Sequence, residues 1–386
     1  MSCVVLVGSR RPAVEAVRRL GLRAVLVADR APGSRTAALV ADVVETPFDA
    51  PLSHWQALAE TLRRHRPSAV LALTERAVLP AAHLREALGL DGVSVATARR
   101  CTHKGAMKRA VRDAGLACAD FVLAEEGLGR EALVARLGLP LVVKPCVGSG
   151  GRGTEVVRER GDVPERLPPG WMAEAFVTGT EMSAEGIGWG GQMRWMSATD
   201  YVVPCEASLV PAPLDPGAAS AIRRLHGAAW RALGVERGLT HLEVFLGPEG
   251  PVFGELAVRP PGGHLMRLIG LAYGIDAWEA WVRVECGEPV ALPERARRSA
   301  AVWIWHPGAG VVQEVEGVDA VQDLPGVVEA TVRVAPGDAV GPREGSGQEV
   351  GHVVVTGEAP DEARARLDAA RDAVRIAIDP AGIERA

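Results

Sequence analysis

Two periods of apolar and polar positions alternate along the chain. Residues 3–7 form a short apolar run that reads as a buried strand, residues 12–20 carry helical spacing, and residues 23–28 return to a strand ending at Asp29. A helix over residues 54–65, a short apolar strand at 69–73 and a further helix ended by Gly89 continue the cadence. This opening predicts an open, doubly wound α/β unit.

A helix starting in Cys101-Thr102-His103-Lys104 runs to Ala114 and stops at Gly115. Residues 121–123 read as a strand, 130–137 as a helix, and 141–145 as a strand closing on Lys144-Pro145. Strands are expected again at 155–157 and 171–177. Towards the end, helices are expected at 264–272 and 276–286 and strands at 300–305, 327–334 and 351–355. A last helix opens at Asp361, with Leu367, Ala370, Val374 and Ile378 on its buried face.

The most informative pattern is a hairpin. Residues 240–246 and 251–259 are strand-forming runs separated by Gly247-Pro248-Glu249-Gly250. With the turn centred on Glu249, Glu243 falls opposite Glu255 and His241 opposite Ala257. Two carboxylates about 5 Å apart at an effective dielectric of ~20 repel by about 3 kcal/mol. A divalent cation held between them offsets that, and Mg²⁺ takes its remaining ligands from water and phosphates. A lysine beside the pair, or a register offset by one residue, offsets it as well.

Between the strands at 141–145 and 155–157 lies Cys146-Val147-Gly148-Ser149-Gly150-Gly151-Arg152-Gly153-Thr154. A Walker loop would carry a lysine after its last glycine and lead into a helix, so this is a different device. Its glycines let backbone N–H groups approach an anion, and such a loop can close over a polyphosphate. Glycine-rich hairpin loops also occur without ligands; Lys144 at the strand end sets this one apart. Gly8 and Asp29 suggest a dinucleotide turn, but Ser9-Arg10-Arg11-Pro12 lacks the other glycines. Cys146 has no histidine beside it in sequence and reads as a packing residue. Trp189, Trp195, Tyr201 and Met266 are left between pocket wall and core.

Composition narrows the class. The 386 residues are 48% hydrophobic and 24% charged, enough for two or three ordinary globular domains. A net charge of −5 with no basic block excludes an electrostatic nucleic-acid footprint. The six cysteines are scattered without a CxxC pair, which fits neither a disulfide framework nor a zinc site. No signal-like start and no apolar run near ~18 residues is present, so a cytoplasmic protein without membrane contact is expected. A homodimer is the commonest soluble assembly.

Together these stretches resemble the ATP-grasp superfamily, and within it the carboxylate–amine ligases related to L-amino acid ligases. The resemblance rests on Thr102-His103-Lys104, Val143-Lys144-Pro145 with the glycine loop, Glu174-Ala175-Phe176-Val177-Thr178-Gly179-Thr180-Glu181, His241-Leu242-Glu243, and Glu255-Leu256-Ala257-Val258-Arg259-Pro260-Pro261-Gly262-Gly263, in that order. It implies an α/β ATP-grasp fold: an N-terminal doubly wound domain (1–98), a small lobe with the glycine lid (99–180), a large lobe with metal and substrate site (181–298) and a small α+β C-terminal lobe (299–386).

The resemblance further implies that Lys104 and Lys144 contact the phosphates of ATP, with Gly148, Ser149, Gly150, Gly151 and Gly153 folding over them. Glu174, Ala175 and Val177 would read adenine, Glu181 the ribose, and Glu243 and Glu255 would hold Mg²⁺, with Mn²⁺ as an alternative. Arg259, Lys144 and Glu255 would act in catalysis, joining small-molecule carboxylate and amine substrates, amino acids foremost, through an acyl-phosphate. The other readings are an ATP-grasp carboxylase or purine-precursor ligase, and a catalytically impaired nucleotide-binding protein. Two positions depart from the family pattern. His103 stands for the usual Asp before the first lysine, and Ala257 for the Asn of Glu-x-Asn-x-Arg, which removes one oxygen ligand. His241, opposite Ala257, is expected to be a structural neighbour of the metal site rather than a ligand.

Overall fold

Four parallel strands open the chain in a computed structural model that describes residues 2–343 and 347–380. They are β1 (Cys3–Val7), followed by α1 (Arg11–Arg19), β2 (Arg23–Ala28), then α2 (Ser34–Ala37), β3 (Asp42–Glu45), then α3 (Leu52–Leu62), and β4 (Pro67–Ala72), followed by α4 (Val78–Leu88). The strand order is β3-β2-β1-β4. Every residue of β1 is buried, as expected for a parallel strand covered on both faces. The sequence reading missed α2 and β3, because both are short and β3 begins and ends on an acid. The strand order reverses between β1 and β4, the kind of point at which open parallel sheets bind ligands beyond their strand ends. Gly8, at φ +92°, follows β1; a Cβ there would lie 3.1 Å from Thr74 Oγ1.

The helix expected around Lys104 is two helices, α5 (Val95–Thr102) and α6 (Lys104–Asp113). Ser94 caps the first, and His103 is extended between them with Nδ1 accepting the Ala106 N–H at 3.2 Å. His103 therefore performs the N-capping that an Asp would perform. The lobe that follows holds β5 (Phe121–Leu123), α7 (Arg130–Leu137), β6 (Leu141–Pro145), β7 (Glu155–Val157) and β8 (Trp171–Ala175), in the antiparallel order β5-β8-β6-β7.

The largest sheet begins with β9 (Thr180–Trp189), β10 (Gln192–Val203) and β11 (Ala207–Val210). After α8 (Pro216–Leu233) come β12 (Gly238–Gly247), β13 (Gly250–Ala257), α9 (Leu265–Tyr273) and α10 (Ala277–Glu285). The remaining elements are β14 (Ser299–Trp305), β15 (Gly310–Glu316), α11 (Val318–Val321), β16 (Val327–Val332), β17 (Ala339–Val340), β18 (Gly351–Gly357), α12 (Pro360–Ala373) and β19 (Arg375–Asp379). The eight strands run β13-β12-β9-β10-β11-β14-β18-β16, so the C-terminal strands extend the same sheet. A second sheet, β17-β15-β19, covers the far end.

One expectation for the C-terminus is overturned. The last helix stops at Ala373 with Val374 as its C-cap, and Ile378 lies on β19, where Ile376 and Ile378 pair with Val315 and Val312 of β15. Leu367 and Ala370 do form the buried face of α12. Within the large lobe Trp195 and Met266 are core: Trp195 donates to Pro293 O at 2.8 Å and packs edge-on to Tyr273. Residues 344–346 and 381–386 of the expected C-terminal lobe lie outside the described residues.

Candidate active site

The hairpin of β12 and β13 places Glu243 opposite Glu255 and His241 opposite Ala257. The register is reached differently from the sequence reading. The turn has two residues, Pro248 and Glu249, between paired Gly247 and Gly250, so its centre is not on Glu249. The register then shifts between Glu243 and Val244, where Gly254 is the extra residue. A Cβ on Gly254 would lie 2.9 Å from Glu243 O, so the bulge needs glycine.

Charges surround the carboxylate pair. Lys104 Nζ lies 3.2 Å from Glu255 and donates to Gly148 O at 2.8 Å, tying α6 to both the hairpin and the glycine loop. Burial raises the Glu255 pKa; Lys104 opposes that, while Glu243 and Glu75 add to it. For Glu243 the burial penalty is outweighed by His241, Lys144 and Arg259, and its pKa falls. Glu181, opposite Phe245 on β9, is raised by burial and by the charge of Glu243.

His241 is fixed from beneath. Its Nδ1 lies 2.8 Å from Glu185 Oε1, and its Nε2 lies 3.8 Å from Glu243. Glu185 is fully buried and accepts from Ser183 at 2.8 Å and Thr199 at 2.7 Å. Burial pulls the imidazole pKa down, but Glu185 and Glu243 overcome it and hold it at about 9. At that value the ring is protonated at neutral pH, between the carboxylates of Glu185 and Glu243.

Lys144, at the end of β6, pairs with Glu174 on β8. The other carboxylate oxygen lies 2.9 Å from Lys108 Nζ, and Lys108 is 2% exposed. Burial raises the Glu174 pKa less than Lys108 and Lys144 lower it, so the group stays ionised. Lys108 was missed in the sequence, although it sits one turn beyond Lys104 on the same helix face. Beyond Ala175, which still pairs with Leu141 and whose N–H donates to Asp120 O, the chain leaves the sheet; Phe176 N–H donates to Pro140 O, and Val177 follows. The Glu174 carboxylate is thus engaged by two lysines. The glycine loop, 148–153, joins β6 to β7 as a hairpin with positive φ at Gly148, Gly150, Gly151 and Gly153. Cys146 is buried and its thiol pKa is raised by burial, as a packing residue's would be.

Arg259 reaches across to the N-terminal domain, with Nε 3.0 Å from Glu75 and a second bond to Pro260 O at 3.1 Å. His264 stacks on His352 at 3.9 Å between ring centroids. Linear spacing concealed the company these histidines keep: ligand atoms of His264, Glu329 and His352 all lie within 4.8 Å of one another. Arg267 lies 3.3 Å from Glu329, and Arg333 lies 3.0 Å from the neighbouring Glu349, so these carboxylates already have cationic partners.

Comparison with known proteins says what class of protein carries this fold and this lysine- and carboxylate-lined site. Residues 109–266 match the ATP-grasp domain family, and residues 302–379 match L-amino acid ligase C-terminal domain 2. A formate-dependent phosphoribosylglycinamide formyltransferase from Synechococcus sp. (strain CC9605) is 30% identical over 330 residues, covering 77% of this chain and 79% of that protein. An L-arginine-specific L-amino acid ligase from Bacillus subtilis is 24% identical over 298 residues, 72% of each chain. The crystal structure of an L-amino acid ligase from Bacillus licheniformis superposes with a TM-score of 0.82 at 21% identity, covering 98% of this chain and 99% of that one. The chain belongs to the ATP-grasp superfamily, as an ATP-binding, carbon–nitrogen bond-forming ligase. Among the described residues no helix is long and apolar enough to cross a membrane.

Proposed function

We propose that this enzyme joins an amino acid to an amine through an acyl-phosphate, releasing ADP and phosphate. The observation that carries the reading is the opposition of Glu243 and Glu255 with Lys104 beside them and Lys144 and Arg259 within electrostatic reach. The match of residues 302–379 to an amino acid ligase domain supports an amino acid among the substrates.

Phosphoryl transfer asks the protein mainly for positioning and charge neutralisation. Lys104 and Lys144 would bind phosphate oxygens, exchanging their present carboxylate partners for them in part. The glycine loop would close over the phosphates, anchored by the Lys104 bond to Gly148, and would exclude water from the reactive intermediate. Ala175 and Val177 would meet adenine through their backbone, and Glu181 the ribose hydroxyls. A substrate carboxylate oxygen then attacks the γ-phosphorus and ADP leaves. The amine attacks the acyl carbon, phosphate departs, and Arg259 holds the charge that develops on oxygen.

The donor chemistry at Glu243 and Glu255 fits a hard cation. Two facing carboxylates, one with its pKa raised in part by the other, offer oxygen ligands to Mg²⁺ or Mn²⁺. When bound there, the ion neutralises phosphate charge.

The test is product analysis of MgATP turnover against a panel of amino acids and amines. Acceptor-dependent ADP and phosphate with an amide product by mass is the expected result; AMP and pyrophosphate would overturn the acyl-phosphate route. The relatives that are phosphoribosylglycinamide formyltransferases favour a second reading, a purine-precursor ligase. Turnover with formate or bicarbonate and a phosphoribosyl amine, in place of amino acids, would establish it. Tight ATP binding without turnover under any of these conditions would point to the impaired protein.

A further inference from the structure

Three elements of the C-terminal half bring two imidazoles and a carboxylate to one point. Glu329 lies on β16 and His352 on the neighbouring β18, where His352 pairs with Thr331, so the two sit diagonally on one face of the sheet. His264 enters from the connection ahead of α9 and stacks on His352. One ligand atom from each of the three lies within 4.8 Å of the others.

The contacts these side chains make do not account for them. Nε2 of His352 lies 3.3 Å from Glu329 Oε1, but its Nδ1 is buried without a hydrogen-bond partner among the described residues. The ring is therefore short of one polar contact, which an electron-pair acceptor supplies. His264 holds φ +61°, a left-handed backbone in which a histidine is uncommon, directly after Gly263 at φ +57°.

The charged neighbours balance one another. Arg267 lies 3.3 Å from Glu329 Oε2 and Arg333 lies 3.0 Å from Glu349 Oε1, the oxygen that also lies 3.8 Å from His264 Nε2. Both arginines are roughly half exposed, and such pairs are weak. Each arginine can turn to solvent and leave two carboxylates to neutralise a dication. Two imidazoles with carboxylate oxygens are donors suited to Zn²⁺, whereas Mg²⁺ takes oxygen ligands of the kind Glu243 and Glu255 offer.

We propose that His264, Glu329 and His352 form a Zn²⁺ site, with Glu349 in reach as a fourth ligand, that fastens the connection between β13 and α9 to the C-terminal strands. That connection also carries Arg259, so the ion steadies the segment from which the arginine projects. The site is structural and supplies no step of the ligation.

The experiment is calorimetric titration of Zn²⁺ into the full chain, freed of metal by chelation and kept in excess Mg²⁺, which competes for the carboxylates of Glu243 and Glu255. One equivalent of Zn²⁺ should bind and should raise the melting temperature. His352→Ala and His264→Gly should each weaken that binding by about tenfold or more, the scale on which disturbed metal ligands lose affinity. Glycine accepts the left-handed backbone, so His264→Gly should keep the metal-free melting temperature of the parent. Arg267→Gln, which removes a competing cation, should tighten binding by about two- to fivefold, the worth of an exposed ion pair. Glu243→Gln should leave Zn²⁺ binding unchanged. Absence of Zn²⁺ binding, binding that survives both histidine variants, or binding that is lost in Glu243→Gln or on replacing the exposed thiol in Cys205→Ser would each overturn the proposal.

Discussion

Lys108 Nζ lies 2.9 Å from one oxygen of Glu174 while Lys144 holds the other, so one buried carboxylate carries two lysines from different elements. The triad joins α6 to the sheet of the small lobe. Removing its centre leaves two cations without a partner. Glu174→Gln should therefore lower stability by about 3–5 kcal/mol, whereas Lys108→Met, which leaves a neutral pair, should cost about 1–2 kcal/mol. Urea unfolding of the two variants measures the difference; equal losses would show that Lys108 contributes as much as the carboxylate.

Gly254 controls whether the two acidic residues face one another. A side chain at this position meets the backbone oxygen of Glu243 at 2.9 Å, which cannot yield as a flexible side chain would. Gly254→Val should straighten the bulge, shift Glu255 out of opposition to Glu243 and abolish MgATP turnover. Because the shift is local, the melting temperature should fall only by the amount of a single strained contact, a few degrees at most for a chain of this size. Full turnover in a folded Gly254→Val protein would show that the opposition of Glu243 and Glu255 is not required.

Ala257 lies buried opposite protonated His241, next to the carboxylate pair. An Asn there adds an amide oxygen of the kind hard cations accept. Ala257→Asn should lower the Mg²⁺ concentration that half-saturates turnover, and an unchanged metal titration would count against a missing ligand as the reason for the cation's demand.

How far the sequence could be read follows from what each signal depends on. Glu243, Glu255 and the glycine loop were legible because strand alternation and turn residues are local. The hairpin register came out correctly through two compensating features, a shorter turn and the Gly254 bulge, and pairing arithmetic sees neither separately. The helix α8 carried Asp215 as N-cap, Pro216 in the first turn and Gly234 after its end, all readable signals that were passed over. Glu185 and Lys108 could not be recognised as buried from composition, since a charged residue's burial depends on partners distant in sequence: Thr199 and His241 for one, Glu174 for the other. The pairing of Arg259 with Glu75 across 184 positions lay beyond any local pattern.

His226 provides a pH test of the fold itself. It is fully buried on α8, its Nε2 2.7 Å from Thr240 Oγ1, and burial, with His241 and Arg223 adding repulsion, lowers its pKa to about 3. In the unfolded chain the ring titrates near its ordinary value of about 6.5. Between those values the unfolded state binds a proton that the folded state refuses, so stability present above about pH 6.5 is lost as pH falls towards 3. The slope attributable to this one group approaches about 1.4 kcal/mol per pH unit. Unfolding free energies of the parent and of His226→Leu, measured from pH 7 to pH 4.5, should differ by that slope, with the variant's curve flatter. Parallel curves would mean that the imidazole is protonated within the fold, and the hydrogen bond to Thr240 would then have to run with the histidine as donor.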